Sequence, residues 1–382
     1  MGLLDVLADA PTEPLRAQAA AALQSGLPTK KTEAWRFTSV RHLVDAARVE
    51  VAPNIEVTLR DGVTAEWVAS HELVGTMAES LHFAALNTVR HEKVLVVRAT
   101  GADRSTVTLR IGAAGEGQIT HPRILVIAEK HSELTLVERY EPGAGLVNVV
   151  TEMVLEDGAA VDHTRLHLGL DQHVGTLAVH QKRDTCYGSR VFSFGGALVR
   201  LDLRVALHGP GASASTEGAY HVTDGEHVDH HLFVDHIGPK NTSTQVYRGV
   251  LDGKGSAVFD GQSIVGKDAP GSECHQSNGN LLLSDRATLH TKPHLEINND
   301  DVVASHGATA GALDSDALFY LQSRGIPHDT ARAMLTDAFL RAVLDDVQVP
   351  EVLTELRRAL VDRGLSMSGA SELEDSVSEA EA

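Results

Sequence analysis

The sequence predicts a mainly β protein with helical ends, its middle coiled as a β-solenoid. Three observations predict it. From about residue 85 to residue 303 the chain is a succession of short β-branched runs, among them KVLVVRA, RILVIAE, ELTLVERY and NVVTEMVLED, punctuated by Gly, Asp and Asn. Inside this region a local pattern recurs, a turn followed by a small residue and an alternating strand: EDGAAVDHTRLHL, GGALVRLDLRV, GPGASASTEGAYHV, GKGSAVFDGQSIV and SDRATLHTKPHLEI. Amphipathic helical patterns stand on both sides. A β stretch of this length fits a sandwich, a barrel or a solenoid. Small residues at the corners favour the solenoid, whose coils stack and whose strand pairing continues to any length.

The elements follow in order. Residues 1–84 read as an N-terminal helical or mixed region, opened by a helix over 12–25 with Thr12 as cap, a proline in its first turn, an Ala-rich interior and Gly26 then Pro28 as its stop. Next, KTEAWRFTSVRHL sets Trp35, Phe37 and Leu43 among charges, as an arm anchored on the main body by its aromatics. Residues 85–303 form the β core. The stretch DDVVASHGATAG, 300–311, reads as a turn of small residues around His306, with Asp300 and Asp301 ending the core. Residues 304–365 form a C-terminal helical unit: DSDALFYLQSRG, then DTARAMLTDAFLRAVLDDV with Ala331, Met334, Leu335, Ala338, Phe339 and Ala342 on one stripe, then PEVLTELRRALVDRG between Pro350 and Gly364. Three such helices bury little alone and must dock on the β body or on another protein. Residues 366–382, nearly all acidic or small, read as a disordered tail.

Composition narrows the function. With 33 Lys+Arg against 52 Asp+Glu among 382 residues, the net charge of −19 repels a phosphate backbone, so nucleic acid and anionic membrane are poor partners. No apolar run approaches the roughly 18 residues of a membrane span, and MGLLDVLADAPTEP lacks a basic stretch followed by a hydrophobic core; a cytoplasmic protein is expected. Two cysteines, Cys186 and Cys274, are too few for a disulfide framework or a four-thiolate metal site, and both read as small buried hydrophobes.

Enzymatic chemistry has thin support. GxSxG, P-loop, helix-opening GxGxxG and HExxH patterns are absent. An exported solenoid enzyme acting on acidic polysaccharide fits neither the charge nor the N-terminus. The densest histidine run, HVTDGEHVDHHLFVDHIGPKNTS, holds His221, His227, His230, His231 and His236 beside Asp224, Asp229 and Asp235. It suits a first-row metal in a cupin-like, metal-dependent β-rich enzyme. Strand alternation opposes that reading, because it sends His230 and His231 to opposite faces.

One segment is more specific. Lys292 to Ile297 (KPHLEI), Asp300 to Val302 (DDV), Ser305 to Thr309 (SHGAT) and Leu318 to Gly325 (LFYLQSRG) closely resemble the hallmark of the SufB/SufD family, scaffold proteins of the SUF iron–sulfur cluster assembly machinery. EAWRFTSVRHL, STQVYRGVLDGKGSAVFDG, HQSNGNLLLSDRA and ARAMLTDAF extend the resemblance over nearly the whole chain apart from the tail. The chain is more similar to the SufD branch, being shorter, without a cysteine-rich N-terminal part, and reading Ser-His-Gly-Ala where the SufB branch is more acidic.

The resemblance implies a right-handed parallel β-helix core with α-helical N- and C-terminal regions, and a non-enzymatic scaffold subunit paired with a SufB-like scaffold and a SufC-like ATPase. It places Phe319, Tyr320, Arg324, Met334 and Phe339 in the helical unit that receives the ATPase. For Phe319, Met334 and Phe339, packing within the chain competes with that role. It makes His306 a candidate cluster or iron ligand at the partner interface, since one imidazole beside thiolates of another chain completes a shared site. No cofactor is then held stably by this chain alone; a transient iron–sulfur cluster is shared with the partner. Ala304 stands where the family often has cysteine, so a supporting role without direct ligation stays open, as does a homodimer of the isolated chain.

Overall fold

A computed structural model describes residues 12–24, 26–44, 48–60, 62–69, 81–101, 104–169 and 172–365. The expected acidic tail, 366–382, lies outside the described residues. Helices α1 (Thr12–Leu23), α2 (Arg41–Val44) and α3 (His82–Arg90) come first, with a 3₁₀ turn at Glu33–Trp35. Helices α4 (Ser315–Ser323), α5 (His328–Leu344) and α6 (Pro350–Asp362) come last. The opening helix is shorter than the 12–25 expected, and α3 straddles the boundary expected at residue 85.

Among the described residues there are twenty strands, three before α3 and seventeen between α3 and α4. The short early ones are β1 (Val49–Val51), β2 (Ile55–Leu59), β3 (Val63–Ala69), β4 (Lys93–Ala99), β5 (Ser105–Ile111), β6 (Gln118–Thr120) and β7 (Arg123–Ala128). Longer ones follow: β8 (Glu133–Tyr140), β9 (Leu146–Leu155), β10 (Ala160–Leu168), β11 (Gln172–Gln181), β12 (Cys186–Phe194), β13 (Leu198–Leu207) and β14 (Ser213–Val222). The last are β15 (His227–His236), β16 (Thr242–Leu251), β17 (Ser256–Val265), β18 (Ser272–Leu282), β19 (Thr288–Ile297) and β20 (Val302–Gly311).

From β7 onward successive strands alternate between two sheets, whose main orders are β19-β17-β15-β13-β11-β9-β7-β4-β3, with β1 and β6 beside it, and β2-β5-β8-β10-β12-β14-β16-β18-β20. This is a β-solenoid of about seven turns. Every pairing between successive turns is parallel; the antiparallel pairs β2–β5 and β3–β4 cap the first turn. One corner of the coil repeats a single device. His131, Gly158, Asp184, Gly211, Lys240 and Gly271 occupy it turn after turn, all with positive φ. Each of these six amides donates to a carbonyl at the next corner, as His131 N does to Asp157 O, Gly211 N to Pro239 O and Gly271 N to Asp301 O. The left-handed backbone explains why glycine recurs in the sequence pattern at this place.

Contrary to expectation, Asp300 and Asp301 do not end the solenoid: Asp301, without the positive φ, accepts from the Gly271 amide at the last corner, and one more strand, β20, is laid down before the helices begin. The 300–311 stretch is therefore mostly strand, and the boundary expected after residue 303 falls inside it. Its small residues suit a turn, but here they form strand and stack on β18 in register.

Alternate residues of each strand fill the space between the sheets. Leu134, Leu136, Val161, Leu177, Leu201, Leu203, Leu232 and Phe259 belong to one continuous core. Where tyrosines enter this narrow interior, glycine makes room: a side chain on Gly218 would strike the Tyr247 ring, and one on Gly249 the Tyr220 ring. The interior also holds charge. Glu138 and Arg165, both 0% exposed, pair at 3.0 Å. Tyr140 donates to Glu138 at 2.5 Å, Thr151 donates to it at 3.1 Å, and Arg165 Nη2 donates to the Tyr140 hydroxyl at 2.8 Å. Burial alone would raise the Glu138 carboxyl, but Arg165 and His163 outweigh it and hold it well below the usual carboxylate range. Burial also pushes His230 down to about 3 and His236 down to about 4, so both sit neutral.

The outer faces are covered piecemeal. Helix α3 lies on β9, where Asn148 Nδ2 donates to Phe83 O at 2.9 Å and Asn87 Nδ2 to Asn148 O at 2.9 Å. The arm seats Trp35 on the other turns of that sheet, with the Arg200 guanidinium 3.8 Å over its ring. Phe37 is half exposed and stacks on His290 at 3.7 Å. On the second sheet Val137, Leu166, Phe192, Phe194 and Val250 meet Leu340, Val343 and Leu344 of α5 and Val352, Leu356 and Leu360 of α6.

These interiors predict three stability outcomes. Gly218→Ala overpacks the Tyr247 site and is expected to cost about 1–3 kcal/mol, read from urea unfolding. Glu138→Gln leaves Arg165 buried without its counter-charge and should cost about 3–5 kcal/mol in the same assay. The buried histidines have folded pKa values below their unfolded one, so the unfolded chain takes up protons first as pH falls below about 7. Glu138, whose pKa is depressed, contributes stability above its unfolded pKa of about 4.3 and loses it as pH falls further. The urea midpoint should therefore decline between about pH 7 and pH 5, with Glu138 adding to the decline only below that window.

Candidate partner interface at the open end of the solenoid

The two ends of the coil differ. At the first, β2 and β3 fold back antiparallel over it. At the last, β19 and β20 are the outermost strands of their sheets. The edge at β19 carries Pro293, which lacks an amide hydrogen and suits an edge strand. The edge at β20, VVASHGATAG, has no Pro, Lys, Arg, Asp or Glu, and from Val303 to Gly311 every residue is exposed. Such an edge is a template for another strand unless something covers it.

Register decides which way each β20 side chain faces. Cys274, Gln276 and Asn278 of β18 are buried in the interior, while Glu273, His275 and Ser277 face out. Ala304, His306 and Ala308 stack on the buried three, and Val303, Ser305 and Gly307 on the outer three. The hydrogen bond between His275 Nδ1 and Ser305 Oγ, 2.7 Å, confirms this parity. His306 thus occupies a core-facing position of a turn that has no successor, and this is why it is exposed. Ala304 lies over Cys274, which is 0% exposed, as expected for a small buried hydrophobe. Burial raises the Cys274 thiol, which disfavours thiolate. Cys186 departs from the expectation: it opens β12 on the outward face and is exposed.

The helical unit follows directly from this edge. Asp314 caps α4, its Oδ1 accepting from the Asp316 and Ala317 amides at 2.8 and 3.1 Å. Phe319 is 71% and Tyr320 57% exposed, with the Arg324 guanidinium 5.2 Å over the Tyr320 ring. Met334 is partly exposed on α5. Phe339 instead turns inward and packs against the solenoid, with the Arg248 guanidinium 5.7 Å from its ring. Polar clamps fix the unit: Arg332 Nη2 reaches Asp252 at 2.8 Å, and Arg363 bonds Glu226 and the His221 ring at 3.0 and 2.9 Å. The sequence did not reveal these pairs, whose members lie far apart along the chain.

The histidine run does not converge. His221 serves Arg363, and His227 Nε2 lies 2.8 Å from the Thr38 hydroxyl of the arm. His230 faces the interior beside Ser193 at 3.1 Å, and His236 bonds Ser243 at 2.7 Å. His231 faces out, 2.9 Å from Asp229, whose carboxylate is paired with Arg200 at 2.5 Å. Among the described residues no three His, Cys, Asp or Glu are grouped to hold a metal ion. Nothing in this arrangement carries the cupin-like reading further. None of the described helices is long and apolar enough to cross a membrane.

Residues 110–339 match the family described as SUF system FeS cluster assembly, SufBD core domain. An iron–sulfur cluster assembly SufBD family protein of Mycobacterium bovis is 28% identical over 360 residues, covering 87% of this chain and 88% of its own. The iron–sulfur cluster assembly protein SufD of Escherichia coli is 27% identical over 389 residues, covering 90% and 88%. A SufBD family protein of Synechocystis is 30% identical over 256 residues, covering 63% and 56%. With more than half of its length matched by the core domain and that domain coiled as the solenoid described above, the chain belongs to the SufBD family of iron–sulfur cluster assembly proteins.

Proposed function

We propose that this chain is a non-enzymatic, cytoplasmic scaffold subunit of the SUF type, working in a complex with a SufB-like scaffold and a SufC-like ATPase. The observation that carries the reading is the β20 edge: uncharged, exposed along its length, and bearing one imidazole on a core-facing column. A partner's edge strand completes the unfinished turn through main-chain hydrogen bonds. In doing so it covers His306 and brings that imidazole to the shared boundary, where it ligates iron of a cluster under assembly beside the partner's ligands. Ala304 contributes no donor, so the remaining ligands come from the partner. In the absence of that partner, the same edge pairs two copies of this chain.

The exposed side of the helical unit, Phe319, Tyr320, Arg324 and Met334, receives the ATPase, while Phe339 braces the unit against the solenoid. Because Arg332 and Arg363 tie these helices to neighbouring turns, a pull on them is transmitted to the open end.

Three outcomes follow. Val303→Lys on the exposed edge should abolish co-purification with a co-expressed SufB-like partner without lowering the thermal midpoint of the isolated chain. Phe319→Ala or Tyr320→Ala should weaken ATPase binding by about thirtyfold, as loss of an aromatic anchor does, measured by titration calorimetry. His306→Ala should leave the complex intact and reduce cluster delivery in cells; undiminished delivery would sink the ligand role.

A further inference from the structure

Gln276 is 5% exposed. Its Nε2 donates to Ser263 Oγ at 2.9 Å, and the same oxygen accepts from Gln245 Nε2 at 3.0 Å. With the amides so oriented, the carbonyl oxygens of Gln276 and of Gln245 have no hydrogen-bond partner in the chain. A buried amide oxygen without a partner is costly and calls for a donor.

The register supplies one. His163, Ser189, Thr216, Gln245, Gln276 and His306 form a single core-facing column through β10, β12, β14, β16, β18 and β20. Neighbours in such a column are one strand spacing apart, about 4.8 Å. The residue stacked on Gln276 is therefore an imidazole, which always has at least one N–H to give. The core-facing neighbours of His306 on β20 are Ala304 and Ala308, and Gly307 adjoins it, so no bulky group keeps the ring from lying down on Gln276.

We infer that Gln276 is a positioning residue for His306: its carbonyl oxygen accepts one ring N–H, sets the tautomer, and turns the other ring nitrogen, lone pair free, toward the open end. Ser263 in turn holds the Gln276 amide. The chain Ser263–Gln276–His306 gives the imidazole the oriented support that a metal-ligating histidine needs. Its purpose rests on the ligand role proposed for His306, but its geometry does not.

Long-range ¹H–¹⁵N correlation spectra of the full chain labelled with ¹⁵N-histidine test it, with the His306 signals assigned by their loss in His306→Ala. His306 should populate one tautomer in the native chain. Gln276→Met, which keeps the shape and removes the acceptor, should give a mixture, whereas Gln276→Glu, which keeps an acceptor, should restore the single form. Ser263→Ala leaves Gln276 in place but frees its amide, and partial mixing is expected; this variant decides the matter if Gln276→Met does not fold. Equal tautomer populations in the native chain and the folded Gln276→Met variant would overturn the inference. If His306→Ala leaves cluster delivery unchanged, the ligand role fails while the tautomer result still stands on its own.

Discussion

The constraint on which the rest depends is that each turn of the solenoid satisfies the backbone of the one before it. In a parallel stack every strand offers amide and carbonyl groups to both neighbours, so a last turn always has one row left over. This chain treats its two ends differently. Antiparallel β2 and β3 fold back over the first turn. At the other end Pro293 blunts one sheet, and β20 leaves the second sheet open. The partner contact proposed above would complete the stack at that open edge.

A second consequence concerns polarity. The space between two stacked sheets is narrow, so polar residues that register sends inward must find partners within one or two turns. Glu138, Arg165, Tyr140 and Thr151 share one network, in which Arg165 Nη1 alone is left without a partner. Further along, Tyr220 donates to Asn280, Asn280 to Asn278, and Gln245 and Gln276 converge on Ser263. The interior thus changes from a charged knot near the start to an amide- and hydroxyl-lined column that ends at His306. Ladder stacking makes such a column possible, because each core-facing position meets its register partner one turn away.

The attachments then acquire a mechanical sense. The arm is clamped by Trp35 under Arg200 and by the Thr38 hydroxyl on Asp229 and His227, across turns distant in sequence. The C-terminal helices lie along the second sheet and are pinned by Arg332 and Arg363. The apolar stripe expected on α5 is not its buried face: of its six members only Ala331 is buried, Ala338 and Ala342 are exposed, and the core side is Ala333, Thr336, Asp337, Leu340, Val343 and Leu344. Phe339 is packed and Met334 is half free.

The sequence by itself determined the fold class, through β-branched runs broken at glycine-rich corners, and the family, through the motif around Lys292 to Gly325. It also separated His230 from His231, because alternation is a local property of a strand. It misread 300–311 as a turn, since small residues suit a turn and a tightly stacked edge strand equally well. Only the tertiary structure decided that Asp301 is one more corner, that His306 faces the core column, and that Gln276 lies beneath it. The physical reason is that inward or outward facing in a solenoid depends on register between strands about thirty residues apart, set by how successive corners stack.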